Sequence, residues 1–280
     1  MLLALDARNG SVSVGFREAG EWLTIKRLGA HAGKSPDEYA ILLGAIADDA
    51  RRAEAAARPG DRSTAGGGGS GGVERAWMSC VVPSLAPILV EAVSSAFDVE
   101  CPIVGPGART GVRIRTDNPS EVGSDLVCAA AAAHEIAGRA CIAVTFGTAL
   151  VFSAVGRSGD FLGCSIAPGV GTAAESLRAA AAQIPDVRIE SGAPALGRNT
   201  AQSVRAGIFE GYRGLAERLV RRQREEIAAM GEAEDPSAVE VIGSGEEIGR
   251  EILKSLGFER FVPELVLEGV AIIAARAAAR

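Results

Sequence analysis

Leu2-Leu3-Ala4-Leu5-Asp6-Ala7-Arg8-Asn9-Gly10-Ser11, running straight into Val12-Ser13-Val14-Gly15-Phe16, reads as strand, tight polar turn, strand. The plan returns half a chain later. Ile142-Ala143-Val144-Thr145-Phe146-Gly147-Thr148-Ala149 runs into Leu150-Val151-Phe152-Ser153. Small residues in both turns leave backbone N–H groups able to face an anion. Two such hairpins predict an α/β chain of two related lobes with a phosphate held between them.

The rest of the chain fits that plan. Residues 1–30 read as a three-strand meander, and Asp37 to Ala57 as a helix with Ser35 as N-cap and Pro36 in its first turn. The low-complexity run Gly66-Gly67-Gly68-Gly69-Ser70-Gly71-Gly72 has no helix or strand propensity and predicts a flexible loop over 60–73. Trp77 to Val82 reads as a strand, Leu85 to Phe97 as a helix and Pro102 to Val104 as a short strand. Residues 105–119 carry Gly, Pro and Asn-Pro turn signals and form the expected hinge. Beyond it come a helix over Glu121 to Ala137, the second hairpin, and a strand over Gly163 to Pro168. Helices over Gly171 to Ala182 and Ala201 to Met230, a strand over Val239 to Ile242, and a last helix from Pro263 complete the chain. The order implies a duplicated architecture divided into 1–118 and 119–280.

Bulk properties narrow the function. The chain has 280 residues, enough for two cores, and a formal net charge of −6 argues against nucleic acid as an electrostatic partner. No basic leader with an apolar core opens the sequence, and the Ala-rich stretches are too short to span a bilayer, so a cytoplasmic protein with no membrane partner is expected. Cys80, Cys101, Cys128, Cys141 and Cys164 are scattered without a Cys-x-x-Cys pair, and read as buried reduced thiols rather than a zinc or disulfide framework. His31 and His134 have no partners at ligand spacing.

Several short motifs, in order and in spacing, resemble the type III pantothenate kinases, the family also labelled Bvg accessory factor. They are Gly105-Pro106-Gly107, Thr110-Gly111, Asp117-Asn118-Pro119, Glu121-Val122-Gly123-Ser124-Asp125, Phe146-Gly147-Thr148-Ala149, Ala167-Pro168-Gly169 and Gly197-Arg198-Asn199-Thr200, followed by Gly207-Ile208 and Gly211-Tyr212. The resemblance implies ribonuclease-H-like lobes of the actin, Hsc70 and sugar-kinase (ASKHA) superfamily. It also implies transfer of the γ-phosphoryl group of ATP to the primary hydroxyl of pantothenate, the first step toward coenzyme A. A homodimer, Mg²⁺ and a monovalent cation (K⁺ or NH₄⁺) come with it.

Carried onto this chain, the resemblance makes Asp125 the general base and Asp6 the orienter of Mg²⁺, directly or through water. Asn9, Gly10, Ser11, Gly147 and Thr148 would contact the phosphates, and Gly243 and Gly245 the adenosine side. Gly107, Thr110, Gly123, Ser124 and Thr200 would form the pantothenate site, and Thr145 stands at the monovalent-cation position. Without the resemblance these residues have plainer readings: Asp6 is a turn former, Asp125 a helix-start charge and Gly147 a hairpin glycine.

The departures cluster at the same places. The family's Asp-x-Gly-Asn-Thr-Asn is Asp6-Ala7-Arg8-Asn9-Gly10-Ser11 here, which predicts a turn distorted by Arg8 if that position needs a positive φ. Its Gly-Ala-Asp-Arg is Gly123-Ser124-Asp125-Leu126, and its Asp-Phe-Gly-Thr is Thr145-Phe146-Gly147-Thr148. Leu150 and Val151 replace threonines and Ser153 replaces an aspartate. A neutral Thr145 should hold a cation poorly. Three readings follow: a pantothenate kinase, a weakened relative acting as a binding or regulatory subunit beside an active paralogue, and a kinase of this superfamily for another small hydroxylated acid.

Overall fold

Strand β1 (Leu2–Ala7) is apolar at five of its six positions and buried along its whole length, as a strand flanked on both edges and covered on both faces must be. In the computed structural model, which describes residues 1–31, 33–57, 72–105, 108–181, 183–192 and 194–279, β1 pairs antiparallel with β2 (Ser11–Glu18) and parallel with β4 (Arg75–Cys80). Strand β3 (Glu21–Gly29) adds to β2, giving the order β3-β2-β1-β4. A parallel neighbour needs a crossover, and helix α1 (Pro36–Ala57) lies in it. Its start is a reciprocal capping box: Glu38 N donates to Ser35 Oγ (3.2 Å) and Ser35 N donates to Glu38 Oε2 (2.7 Å). Helix α2 (Ala86–Phe97) follows β4.

The core of this sheet joins Leu3, Leu5 and Phe16 to Tyr39 and Leu43 of α1 and to Leu89, Val93 and Phe97 of α2. Phe16 and Phe97 meet edge to face at 6.1 Å between ring centres. Each such large side chain contributes about 1.5–3 kcal/mol by leaving water.

The second sheet repeats the plan. Strands β5 (Cys141–Phe146), β6 (Ala149–Val155) and β7 (Phe161–Pro168) form an antiparallel meander, and β8 (Glu240–Gly245) pairs parallel with β5. The order β7-β6-β5-β8 reproduces that of the first sheet strand for strand. Helices α3 (Ser124–Ala137), α4 (Val170–Ala180), α5 (Thr200–Ala229), α6 (Glu247–Ser255) and α7 (Leu265–Ala278) complete the fold. Val144, Phe146 and Phe152 pack with Phe209 and Val220 of α5 and with Ile252 and Leu253 of α6.

Two compact units result: residues 1–111, 120–128 and 266–280 form one, and residues 112–119 and 129–265 the other. Most of α7 belongs to the first unit, whereas a division at 118/119 assigns it to the second lobe. Its Gly269 lies so close to the Cys128 backbone that a Cβ there would clash with it.

Other elements also differ from the sequence reading. Pro102 to Val104 makes only a single bridge, Met78 with Ile103, because the chain turns away after two hydrogen bonds to Met78. Helix α6 is absent from the sequence reading, although Ile252 and Leu253 form its buried side; it starts at Glu247, directly behind Gly243-Ser244-Gly245. Strand β8 runs on through Gly243, Ser244 and Gly245, past the end expected at Ile242. Cys101, Cys128 and Cys141 are buried as expected, but Cys80 is half-buried and Cys164 is exposed on edge strand β7. Residues 60–71 of the Gly-rich segment lie outside the described residues. Among those described, no helix is long and apolar enough to cross a membrane.

Candidate active site

Asp6 is the penultimate residue of β1, and its register partners are Ser13 on β2 and Ser79 on β4. All three are buried, at 1%, 5% and 0% exposure, so a buried polar stripe crosses three strands of the sheet. Burying a carboxylate is costly unless it is paired. Arg8 meets that need: its Nε donates to Asp6 Oδ2 at 2.6 Å, from a side chain 28% exposed. Arg8, the first residue after β1, can present a basic group this way because the chain has already begun to reverse, with Arg8 N donating to Ser11 O at 2.9 Å. The turn is not distorted. Arg8 does not adopt a positive φ, so the strain expected from replacing glycine does not arise.

The stripe continues toward Asp125. Ser79 Oγ lies 3.2 Å from Ser124 Oγ, and Ser124 Oγ also accepts from Cys80 N (3.0 Å) and sits 3.2 Å from Cys80 O. Ser124 is the first residue of α3, so these bonds tie the start of the helix to the end of β4. Asp125 follows, half-buried, with Oδ1 accepting from Leu126 N at 2.9 Å. Gly123 gives this carboxylate room, since a Cβ there would stand 2.5 Å from Asp125 Oδ1. Cys128, one turn further, reports on both acids. Burial pushes its thiol well above the ordinary range, and the charges of Asp6 and Asp125 push it the same way. Burial likewise raises Cys80, with Asp6 adding to it.

In the second unit, Thr145 occupies the position on β5 that Asp6 occupies on β1, and its register partners are Val151 and Ser244. The turn is one residue shorter, with Gly147 N donating to Ala149 O (3.2 Å). Thr148 is exposed at its tip, and its carbonyl accepts from Gly169 N (2.9 Å) and Thr172 Oγ1 (2.8 Å). Gly169 must be glycine, because a Cβ would clash with the Gly147 carbonyl. Gly245, at φ +96°, passes equally close to the Phe146 carbonyl, which accepts from Glu246 N at 3.0 Å. Beside this turn lies a cavity of about 260 Å³ lined by Glu246, Ile248, Val170, Arg178, Pro185 and Ile189, among others.

The expected site residues thus fall into groups. Asp6, Gly123, Ser124 and Asp125 come together in the first unit, with Asn9 and Gly10 exposed and Ser11 half-buried in the adjoining turn. Thr145, Gly147, Thr148, Gly243 and Gly245 come together in the second. Thr110 is held apart in the first unit, its carbonyl accepting from Arg276 Nη1 at 2.8 Å. Thr200 is exposed at the start of α5, where Asn199 caps the helix by accepting from Gln202 N (2.9 Å). Gly107 lies outside the described residues. Sequence reading missed Ser79 and the Arg8–Asp6 pair. The polar Ser79-Cys80 at the end of an apolar strand was the available signal.

The donors at Asp6 suit Mg²⁺, which takes one or two carboxylates and otherwise substrate phosphates and water. No cluster of three or more acidic, His or Cys groups able to hold a metal occurs among the described residues, so the phosphates would supply the remaining ligands. Thr145 fits a monovalent cation poorly: it offers a neutral hydroxyl opposite the apolar Val151.

A family model described as type III pantothenate kinase matches residues 2–222. A protein named type III pantothenate kinase from Dehalococcoides mccartyi is 36% identical over 226 residues, covering 81% of this chain and 80% of its own. Another of the same name, from strain CBDB1, is 34% identical over 273 residues, covering 97% and 94%. Among solved structures, one described as a conserved Baf family transcriptional activator from Campylobacter jejuni aligns with a TM-score of 0.57 at 12% identity, over 98% of each chain. One described as a 2-dehydro-3-deoxygalactonokinase from Sinorhizobium meliloti aligns with a TM-score of 0.54 at 15% identity, over the whole of both. These two are similar to this chain in fold, which is α/β with two four-stranded sheets.

Proposed function

The chain belongs to the type III pantothenate kinase family, whose activity is the ATP-dependent phosphorylation of pantothenate that opens coenzyme A biosynthesis, and we propose that it performs this reaction with Asp125 as general base. The observation that supports the assignment of the base is the buried pair Asp6 and Ser79, continued through a half-buried Ser124 to a half-buried Asp125. Phosphoryl transfer passes through a loose transition state, so the protein mainly positions groups and neutralises charge. Asp125 accepts the proton of the attacking hydroxyl, and Ser124 fixes the helix start from which Asp125 projects. Gly123 leaves the space that substrate and carboxylate share, with Gly107, Thr110 and Thr200 as further pantothenate contacts.

Asn9, Gly10, Ser11, Gly147 and Thr148 bind the phosphates of ATP, and Gly243 and Gly245 lie on its adenosine side, where the cavity lined by Glu246 and Ile248 takes the nucleoside end. When bound, Mg²⁺ supplies charge neutralisation on the phosphates, and Asp6 orients it. A K⁺ or NH₄⁺ requirement is weak here because Thr145 replaces the family's aspartate. The partner is a second copy of the chain, and the enzyme works in the cytoplasm. A regulatory subunit beside an active paralogue is not favoured, since the matched relatives carry the name of the enzyme.

The test is product identification. Purified protein with ATP, Mg²⁺ and pantothenate should yield phosphopantothenate by mass spectrometry. ADP formed at the same rate without pantothenate would refute the assignment.

A further inference from the structure

Asp6 and Arg8 stand at corresponding places to Thr145 and Gly147, and the two pairs differ together. Where the sheet position is an acid, the turn position is a base; where it is neutral, the turn position is glycine. The acid is almost completely buried, and Arg8 reaches back to it from a partly exposed turn. Leaving such a carboxylate without a counter-charge is expensive, so the pair is strongly held while nothing else competes. Yet the guanidinium fork binds phosphate as well as carboxylate, and the turn that carries it has Asn9 and Gly10 exposed to solvent.

We propose that Arg8 is a built-in stand-in cation for Asp6, which a metal–nucleotide complex displaces and free metal does not. In the empty protein Arg8 occupies Asp6 Oδ2. A free divalent cation must break that pair and leave Arg8 without an anion. A metal bound to a triphosphate brings Arg8 a replacement anion and takes the carboxylate in exchange. Metal and nucleotide therefore bind together, and the order of addition is set by one side chain. This rests on the kinase reading of Asp6, and the experiment separates the two.

Free Mn²⁺ is titrated by electron paramagnetic resonance into nucleotide-free wild type, Arg8→Gly and Arg8→Gln, with thermal unfolding recorded in parallel. Both variants should bind free Mn²⁺ at least about tenfold more tightly than wild type, as removal of a unit charge in contact with the ligand requires. Their melting temperatures should fall without metal and recover with it. Adding Asp6→Asn to Arg8→Gln should abolish the gained Mn²⁺ affinity. Equal free-Mn²⁺ affinity in wild type and variants overturns the proposal, as does a gain that survives Asp6→Asn. Arg8→Gln keeps the test open if Arg8→Gly does not fold. A wild type that binds Mn²⁺–ATP analogue normally while the variants show no gain sinks this inference alone. A wild type that binds no metal nucleotide sinks the kinase reading with it.

Discussion

The two sheets share strand order, strand sense and register, and differ most at the ends of their central strands. In the first, Asp6 sits among Ser13 and Ser79, paired to Arg8. In the second, the same position is Thr145, facing Val151 and Ser244, and the turn is closed by glycines packed against carbonyls. One hairpin concentrates charge; the other offers tight backbone. A repeated fold can divide labour this way because the backbone plan needs only apolar strands and permissive turns, while the polar chemistry rests on two or three side chains per turn.

The largest effect is expected from removing the acid at the start of α3, in the unit that holds the charged hairpin. Asp125→Asn should lower kcat by about 10²–10⁴-fold, the usual worth of a positioned base, with circular dichroism and melting unchanged. Undiminished turnover would take Asp125 out of the base role. Asp6→Asn should cost about 10²–10³ in kcat, the scale of a lost charge contact in a transition state, and the loss should be partly recovered by raising Mg²⁺. A variant that Mg²⁺ saturates like wild type would show that Asp6 does not serve the metal.

The backbone side of the contrast is tested by stability. Gly245→Ala forces a Cβ onto the Phe146 carbonyl at positive φ and should cost about 1–3 kcal/mol in urea unfolding. Gly10→Ala, with open space around it, should stay within about 0.5 kcal/mol. Equal costs would erase the distinction between the two turns. The smallest effect is expected from Thr145→Asp, a few-fold rise in turnover confined to buffers containing K⁺ or NH₄⁺; the same rise in their absence would mean Thr145 is not at a cation position.

Much of this was legible in the sequence. The two hairpins show as apolar runs broken by small polar turns, and Ser35-Pro36 marked the start of α1 because caps are local chemistry. Asp6 and Asp125 could be picked out, but only the motif register gave them a role. What connects them, Ser79 and Ser124, depends on a parallel strand pairing some seventy residues apart, and no local pattern encodes that. The Arg8–Asp6 pair was hidden for a different reason. Arg8 was expected to strain a turn, and whether it did depended on a backbone angle that the residue type does not fix. Helix α6 does carry a readable stripe, Ile248 with Ile252 and Leu253, but it starts right behind the glycines of Gly243-Ser244-Gly245, which break up the pattern around it.

We propose that the charged first hairpin and Asp125 together make this chain a working kinase despite its neutral second hairpin. The most direct test is a coupled ADP-release assay on the purified protein with ATP and Mg²⁺, run with and without pantothenate and with and without K⁺ or NH₄⁺. The account predicts ADP release that requires pantothenate and depends little on either cation. Pantothenate-independent release, or none from folded protein that binds Mg²⁺–ATP, would contradict it.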